Sequence, residues 1–312
     1  MDSVDVTALN AIQPSSTDED LELIKSGGQT RKWSVAPFPI DENINKKVVL
    51  YDGGIELLRA DAIVNPTNEN LTLLNLVNKL AGPELESYIK KRIRVCSTGD
   101  VRVTPGFRSN FKFIIHAVPP KYQPKYRTAA ETALFHSYFR ILETMIEKGI
   151  RTVVMPTLTT PKCNLPIDDN IHMQLRIIRR ILEKKGDQFD KIVVSVADAE
   201  QYSGLFYCYF PQSSVDEEIA CYRLGTSIGG QNGEPVIPER EIRIKSKPAI
   251  LDPSDKSIDL TSGLDLSTVV GNTAFSRMHD DPGRERKGFN KKAAVSNQIV
   301  VRKTILRGCT LL

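Results

Sequence analysis

Two rhythms of hydrophobic residues alternate along the middle of the chain. Short apolar runs with β-branched residues stand at 47–54, 60–65, 101–104, 111–118, 151–155 and 191–196. Such runs predict buried strands, the first ending in a glycine turn. Between them lie longer stretches with apolar residues every three or four positions. Residues 127–148 set Ala130, Leu134, Tyr138, Ile141 and Met145 on one helix face, and 166–185 do the same with Ile171, Leu175, Ile178 and Leu182. Residues 71–94 read as helix-rich, broken at Ala81-Gly82-Pro83, and 199–209 predict a last helix. Strands separated by long helices give an α/β class, with a largely parallel sheet covered on both faces.

The flanks lack this rhythm. Residues 1–37 read as a flexible acidic arm, with 15–20 low in hydrophobicity and Gly27-Gly28 breaking any helix. Trp33, Phe38 and Ile40 are apolar enough to dock, so one folded domain is expected over 38–215. Residues 216–312 read as a low-order linker and tail, loosened by Gly225, Gly229, Gly230 and Gly233. The tail carries a basic run at Arg284, Arg286, Lys287, Lys291 and Lys292, read as solvated or as a nucleic-acid contact.

Composition narrows the class. The chain has 312 residues and a net charge of +4, a surplus that permits a polyanionic partner without requiring one. No apolar stretch approaches the ~18–20 residues of a membrane span. The first 30 residues, dotted with acids, do not form a secretory signal. Five cysteines, odd in number and without a C-x-x-C pair, read as reduced thiols. A cytoplasmic protein is expected. Neither a Ser-His-Asp set nor metal-ligand spacing appears, so no metal and no cofactor is expected.

The strand at 60–65 stops at Pro66, and Asn65 and Asn68 flank that stop. Carboxamides beyond the carboxyl end of a strand suit a polar ligand site, or else they close turns. The stretch DAIVN-x-x-N-x-x-L at 61–71 resembles the opening signature of macro domains. CSTGDVRVTPGF at 96–107, FKFIIHAVPP at 111–120 and VVMPTLTT at 153–160 resemble further motifs of that family, in its order. The resemblance covers residues 46–211. It implies a three-layer α/β/α macro-domain fold with a mostly parallel mixed sheet, and binding of ADP-ribose or a related nucleotide. NGEPVIPEREIRIKSKP at 232–248 resembles a branch of the family in which a Sec14-like lipid-binding domain follows. The chain is therefore expected to be truncated before such a domain.

The resemblance implies site residues and also losses. Gly54 and Ile55 match a turn in which the family carries an adenine-binding Asp at the position of Gly54. The family's first phosphate loop is a glycine run that also holds the acid of its hydrolytic members. Here Leu71, Thr72, Leu73, Leu74, Asn75, Leu76, Val77 and Asn78 stand there, without glycine or acid. The second loop reads Thr159, Thr160, Pro161, Lys162, Cys163, Asn164. Pro161 replaces one glycine and removes a donor, and Asn164 replaces another. Asn65, Asn68 and Asp198 remain as candidate ribose contacts, although Asp198 equally suits a helix N-cap. His116 reads as a structural histidine.

The expected function is a catalytically inactive binding or interaction module. An ADP-ribosyl hydrolase, a protein-interaction scaffold, and a binder of RNA or poly(ADP-ribose) through a basic surface are the alternatives. Residues 46–211 hold 24 Lys and Arg against 17 Asp and Glu, a surplus of 7. Clusters at Lys90, Lys91, Arg92, Arg94 and at Arg176, Arg179, Arg180, Lys184, Lys185 are the candidate polyanion surfaces, or solvated helix faces.

Overall fold

The computed structural model describes residues 3–9, 31–73, 75–93, 95–196 and 199–236. All of these lie within one compact unit, Met1–Ile242. Among the described residues seven strands form the sheet: β1 (Val4–Asp5), β2 (Val48–Tyr51), β3 (Leu58–Pro66), β4 (Val101–Pro105), β5 (Phe111–Ala117), β6 (Thr152–Pro156) and β7 (Lys191–Ser195). Their order is β2-β7-β6-β3-β5-β4, with β1 joining the start of β3. Every pairing is parallel except β4 with β5. The sheet is therefore mixed and mostly parallel, as the resemblance implies.

Helices cover both faces, and the period-2 alternation of the strands sorts the side chains between them. Ala62, Val64, Ile115, Ala117, Val153, Met155, Ile192 and Val194 pack in one cluster. It also holds residues of α4 (Arg127–Lys148), α5 (Ile167–Lys185), α6 (Ala199–Tyr209) and α7 (Ser214–Arg223). Ile63, Ile114, Val154 and Val193, the residues between, face the other cluster with α2 (Leu76–Ala81) and α3 (Pro83–Arg92). A short α1 (Glu42–Asn45) precedes β2. The break expected at Gly82 separates α2 from α3, with Gly82 at φ 80° and Pro83 opening the next helix. Gly149 at φ 65° ends α4.

The flanks correct the expected boundaries. Val4 and Asp5 pair with Leu58 and Arg59, and Val6 is fully buried, so part of the acidic arm belongs to the sheet. The Lys32 and Trp33 amides donate to Cys221 O, and Trp33 Nε1 donates to Gly225 O. α7 begins before residue 215 and runs past it, opened by a Ser213–Asp216 capping box. The expected linker also has fixed structure up to residue 236. Gly229 and Gly233 turn it at φ 74° and 84°, and Arg176 Nε donates to Gly233 O at 3.0 Å. Most of the expected tail, with its basic run, lies outside the described residues.

Candidate functional site

Asn65 is the last buried residue of β3, paired in register with His116 near the end of β5. Its Nδ2 donates to Asn78 Oδ1 at 3.1 Å and faces His116 Nδ1 at 3.1 Å. Its Oδ1 accepts a short hydrogen bond from Asn75 Nδ2, which also donates to Pro66 O at 3.1 Å. His116 Nε2 lies 3.0 Å from Thr104 Oγ1. One tautomer satisfies every group: Nδ1 accepts from Asn65, and Nε2–H donates to Thr104. Burial pushes the His116 imidazole down to about 4. Asn75 also caps α2, accepting from Asn78 N. Asn65 thus sits inside a polar knot joining β3, β4, β5 and α2, with both amide hydrogens and its carbonyl oxygen engaged.

The loop after β3 closes on itself. Asn68 Oδ1 accepts from Thr72 N at 2.8 Å, and Asn68 Nδ2 donates to Thr72 Oγ1 at 3.0 Å. Leu71 holds a left-handed φ of 56° with its side chain only 3% exposed, packed into the second-face core. A leucine therefore takes a backbone conformation that glycine adopts without steric cost. The helix expected across 71–78 starts only at Leu76. Hydrogen bonding to its own backbone N–H, and then Lys121 at 3.3 Å and Lys162, hold the Glu69 carboxyl below the usual range.

The second loop is pinned at its root. Tyr138 Oη accepts from Leu158 N at 2.9 Å and donates to Asn170 Oδ1 at 2.7 Å, while Asn170 Nδ2 donates to Leu158 O at 3.1 Å. Thr159 is exposed and Thr160 half-buried. Within the loop Thr159 N donates to Thr157 O and Cys163 N to Thr160 O. With Pro161 lacking an N–H, the backbone donors that could face an anion are reduced. Asn164 takes φ 49°, the conformation that its amide-bearing side chain tolerates. Cys163 is buried, donates to Pro120 O, and burial pushes its thiol up, the opposite of a reactive thiolate.

The structure brings Asn65, Asn68, Thr159 and Thr160 to the carboxyl ends of β3 and β6. Gly54 and Ile55 stand at the end of β2, where Gly54 opens a short 3₁₀ turn, Ile55–Leu57. Asp198 lies outside the described residues. The Glu56 carboxylate lies 2.5 Å from where a Cβ on Gly54 would stand. An acid thus overhangs the glycine that replaces the family's Asp, a neighbour that motif alignment does not reveal. No motif or spacing in the sequence assigns Thr104, Asn75, Tyr138 or Asn170 the bonding roles they hold here. Among the described residues no group of three or more His, Cys, Asp or Glu is placed to hold a metal, and no helix is long and apolar enough to cross a membrane.

In one candidate polyanion surface two of the five basic residues are engaged within the fold. Arg179 is 1% exposed: Nη2 donates to Pro39 O at 2.7 Å, Nη1 to Tyr209 O at 3.1 Å, and Nε pairs with Glu183 at 2.8 Å. Arg180 stacks over the Phe38 ring at 4.7 Å and pairs with Glu183. These arginines fasten α5 to the segment before α1 and present little free charge.

The macro domain family model matches residues 64–173. Ganglioside-induced differentiation-associated protein 2 of Xenopus laevis is 39% identical over 280 residues, 87% of this chain and 56% of that protein. The Homo sapiens protein of the same name is 40% identical over 273 residues, 84% of this chain and 54% of its own length. The chain thus spans about half the length of the curated relatives it matches. The crystal structure of the macro domain of ganglioside induced differentiation associated protein 2 aligns with a TM-score of 0.58 at 36% identity, covering 68% of this chain and 99% of that domain. With the Asn65 strand end, the mixed sheet and both loops in place, this chain belongs to the macro domain family.

Proposed function

We propose that this macro domain is a binding or interaction module without hydrolase activity, whose cleft has lost most of the donors for a nucleotide diphosphate. The observation that carries the reading is the closed bonding of the cleft loops. Leu71 fills the first loop from inside, and Asn68 is engaged by Thr72. The Thr159 and Cys163 amides bond within the second loop. A pyrophosphate needs several free N–H groups converging on it. Hydrolysis would also need an acid or base poised near the distal ribose. Glu69, the acid beside Asn68, already pairs with Lys121 at 3.3 Å, so its carboxylate is engaged outside any ribose contact.

Calorimetric titration of the full chain with ADP-ribose tests the reading, together with an assay for release of ADP-ribose from a mono-ADP-ribosylated protein. The expected outcome is no heat at millimolar ligand and no release. Micromolar binding that disappears in Asn68→Ala would overturn it. Asn68 is the suitable probe because Asn65 is part of the fold's own bonding.

A further inference from the structure

The second face of the sheet carries a surface that the cleft reading does not use. Lys90, Lys91 and Arg92 crowd the last turn of α3. Cations are favoured at a helix carboxyl end in any protein, so their presence alone indicates nothing. Their neighbours are more informative. Tyr88, one turn back, meets Phe107 from the β4–β5 turn, with ring centroids 5.7 Å apart at 64°. The Arg92 guanidinium stands 5.9 Å from the Tyr88 ring centre. Tyr88, Phe107, Ser87, Lys91, Arg92 and Glu84 line a shallow, open depression of about 430 Å³. Phe107 holds φ 51°, a conformation that aromatic residues rarely adopt, and so its ring is turned to this place by the fold.

Charge at the mouth is one-sided. Glu84 pairs with Arg108 and Glu86 with Lys90, so both nearby acids are neutralised. Among the described residues no carboxylate pairs with Lys91 or Arg92, and both are exposed. The result is a shallow slot with two half-buried rings and, at its rim, two cations without a carboxylate partner among the described residues. A planar base stacks on such rings whatever its identity, and flanking phosphates meet the cations. An acidic peptide would meet the same cations but would leave the rings without a partner.

We propose that this slot binds a single-stranded polynucleotide, with one base against Tyr88 and Phe107 and the adjoining phosphates on Lys91 and Arg92. RNA and poly(ADP-ribose) share this chemistry, an adenine-bearing phosphate chain. The slot is separate from the cleft. Phe107 follows β4 where that strand pairs with the start of β5, whereas Asn65 lies beside His116 near the end of β5. The proposal therefore stands whether or not the cleft binds ADP-ribose.

The test uses the full chain and fluorescence anisotropy with a labelled oligoadenylate of about twelve nucleotides, between about 50 and 200 mM salt. Tyr88→Ala should weaken binding about 5- to 150-fold. Lys91→Glu with Arg92→Glu should remove about 1.4 from the slope of log affinity against log salt. Lys184→Glu with Lys185→Glu, on α5, should change neither. Melting curves check each variant, and if Tyr88→Ala is unfolded, Lys91→Gln with Arg92→Gln replaces it, because both side chains are exposed. Competition by unlabelled poly(ADP-ribose) against oligoadenylate identifies which source binds more tightly, and either result supports the slot. The absence of oligoadenylate binding, binding unchanged by the Lys91 and Arg92 variants, or equal competition by polyglutamate would overturn the proposal. Heat with free ADP-ribose that persists unchanged in the Tyr88, Lys91 and Arg92 variants reports on the cleft, whereas heat lost in them belongs to the slot.

Discussion

His116 offers a direct test of the polar knot at the end of β3. Its imidazole is fully buried between Asn65 and Thr104, and burial lowers it to about 4. In the unfolded chain it returns to about 6.5. Between those values the unfolded state binds more protons than the native state, so stability falls as pH falls through that window and is fully present above it. The gap, at about 1.36 kcal/mol for each pH unit, comes to about 3 kcal/mol, of which about 2 kcal/mol is lost between pH 7 and pH 4.5. Protonating Nδ1 would set an N–H against the Asn65 amide hydrogens, and turning that amide would break its bonds to Asn75 and Asn78. His116→Gln is the control. A glutamine can accept from Asn65 and donate to Thr104, and it does not titrate. Urea unfolding of both proteins at pH 7 and pH 4.5 should show the native protein losing about 2 kcal/mol more than the variant. Parallel losses, within about 0.5 kcal/mol, would mean that His116 is protonated or hydrated in the native state and that the bonding scheme is wrong.

Three further outcomes follow from the packing. Arg179→Ala removes a buried guanidinium from two backbone carbonyls and Glu183, and should cost about 3 kcal/mol or more, a fall of roughly 6–12 °C in thermal melting; an unchanged melting temperature would return Arg179 to the surface. Leu71→Gly should be less harmful than Leu71→Ala by about 1 kcal/mol, reversing the usual order, because only the leucine-to-glycine change relieves the left-handed φ; chemical denaturation of the pair decides it. A fragment of residues 38–215 should melt well below one of residues 1–242, since it lacks β1, the Trp33 contacts and most of α7.

The strands and long helices were legible because each reports a simple period. Alternate residues of 62–64, 153–155 and 192–194 go to opposite cores, and the α4 and α5 stripes face the sheet. The amino-terminal strand was not legible. Val4 and Asp5 are too short a run to announce themselves beside an acidic arm, and only their pairing with Leu58 and Arg59 orders them. Arg179 misled for a different reason. In a row of basic residues it reads as solvated, yet it stands four positions after Leu175 and one after Ile178, on the shoulder of the buried stripe. The knot was half legible: Asn65 stood out, but its partners come from 10, 13 and 51 residues away and obey no local pattern.

That knot changes what the family signature can say about ligand binding. Removing the Asn65 carboxamide would take one hydrogen bond each from Asn75, Asn78 and the fully buried His116, so the fold alone is reason enough to keep it. The strand-end asparagine then carries information about architecture and little about nucleotides. Information about nucleotides sits in the loops, at the positions that must offer N–H groups. Leu71 and Asn164 both keep left-handed backbones, so the loops bend at those points without glycine there. One bend is filled by an apolar side chain, and the other lies in a loop where two amides are already bonded. On the proposed reading, a cleft keeps its family outline after its donors are engaged elsewhere. For this chain, binding chemistry is better sought where aromatic rings and unpaired cations are still exposed together, at Tyr88, Phe107, Lys91 and Arg92.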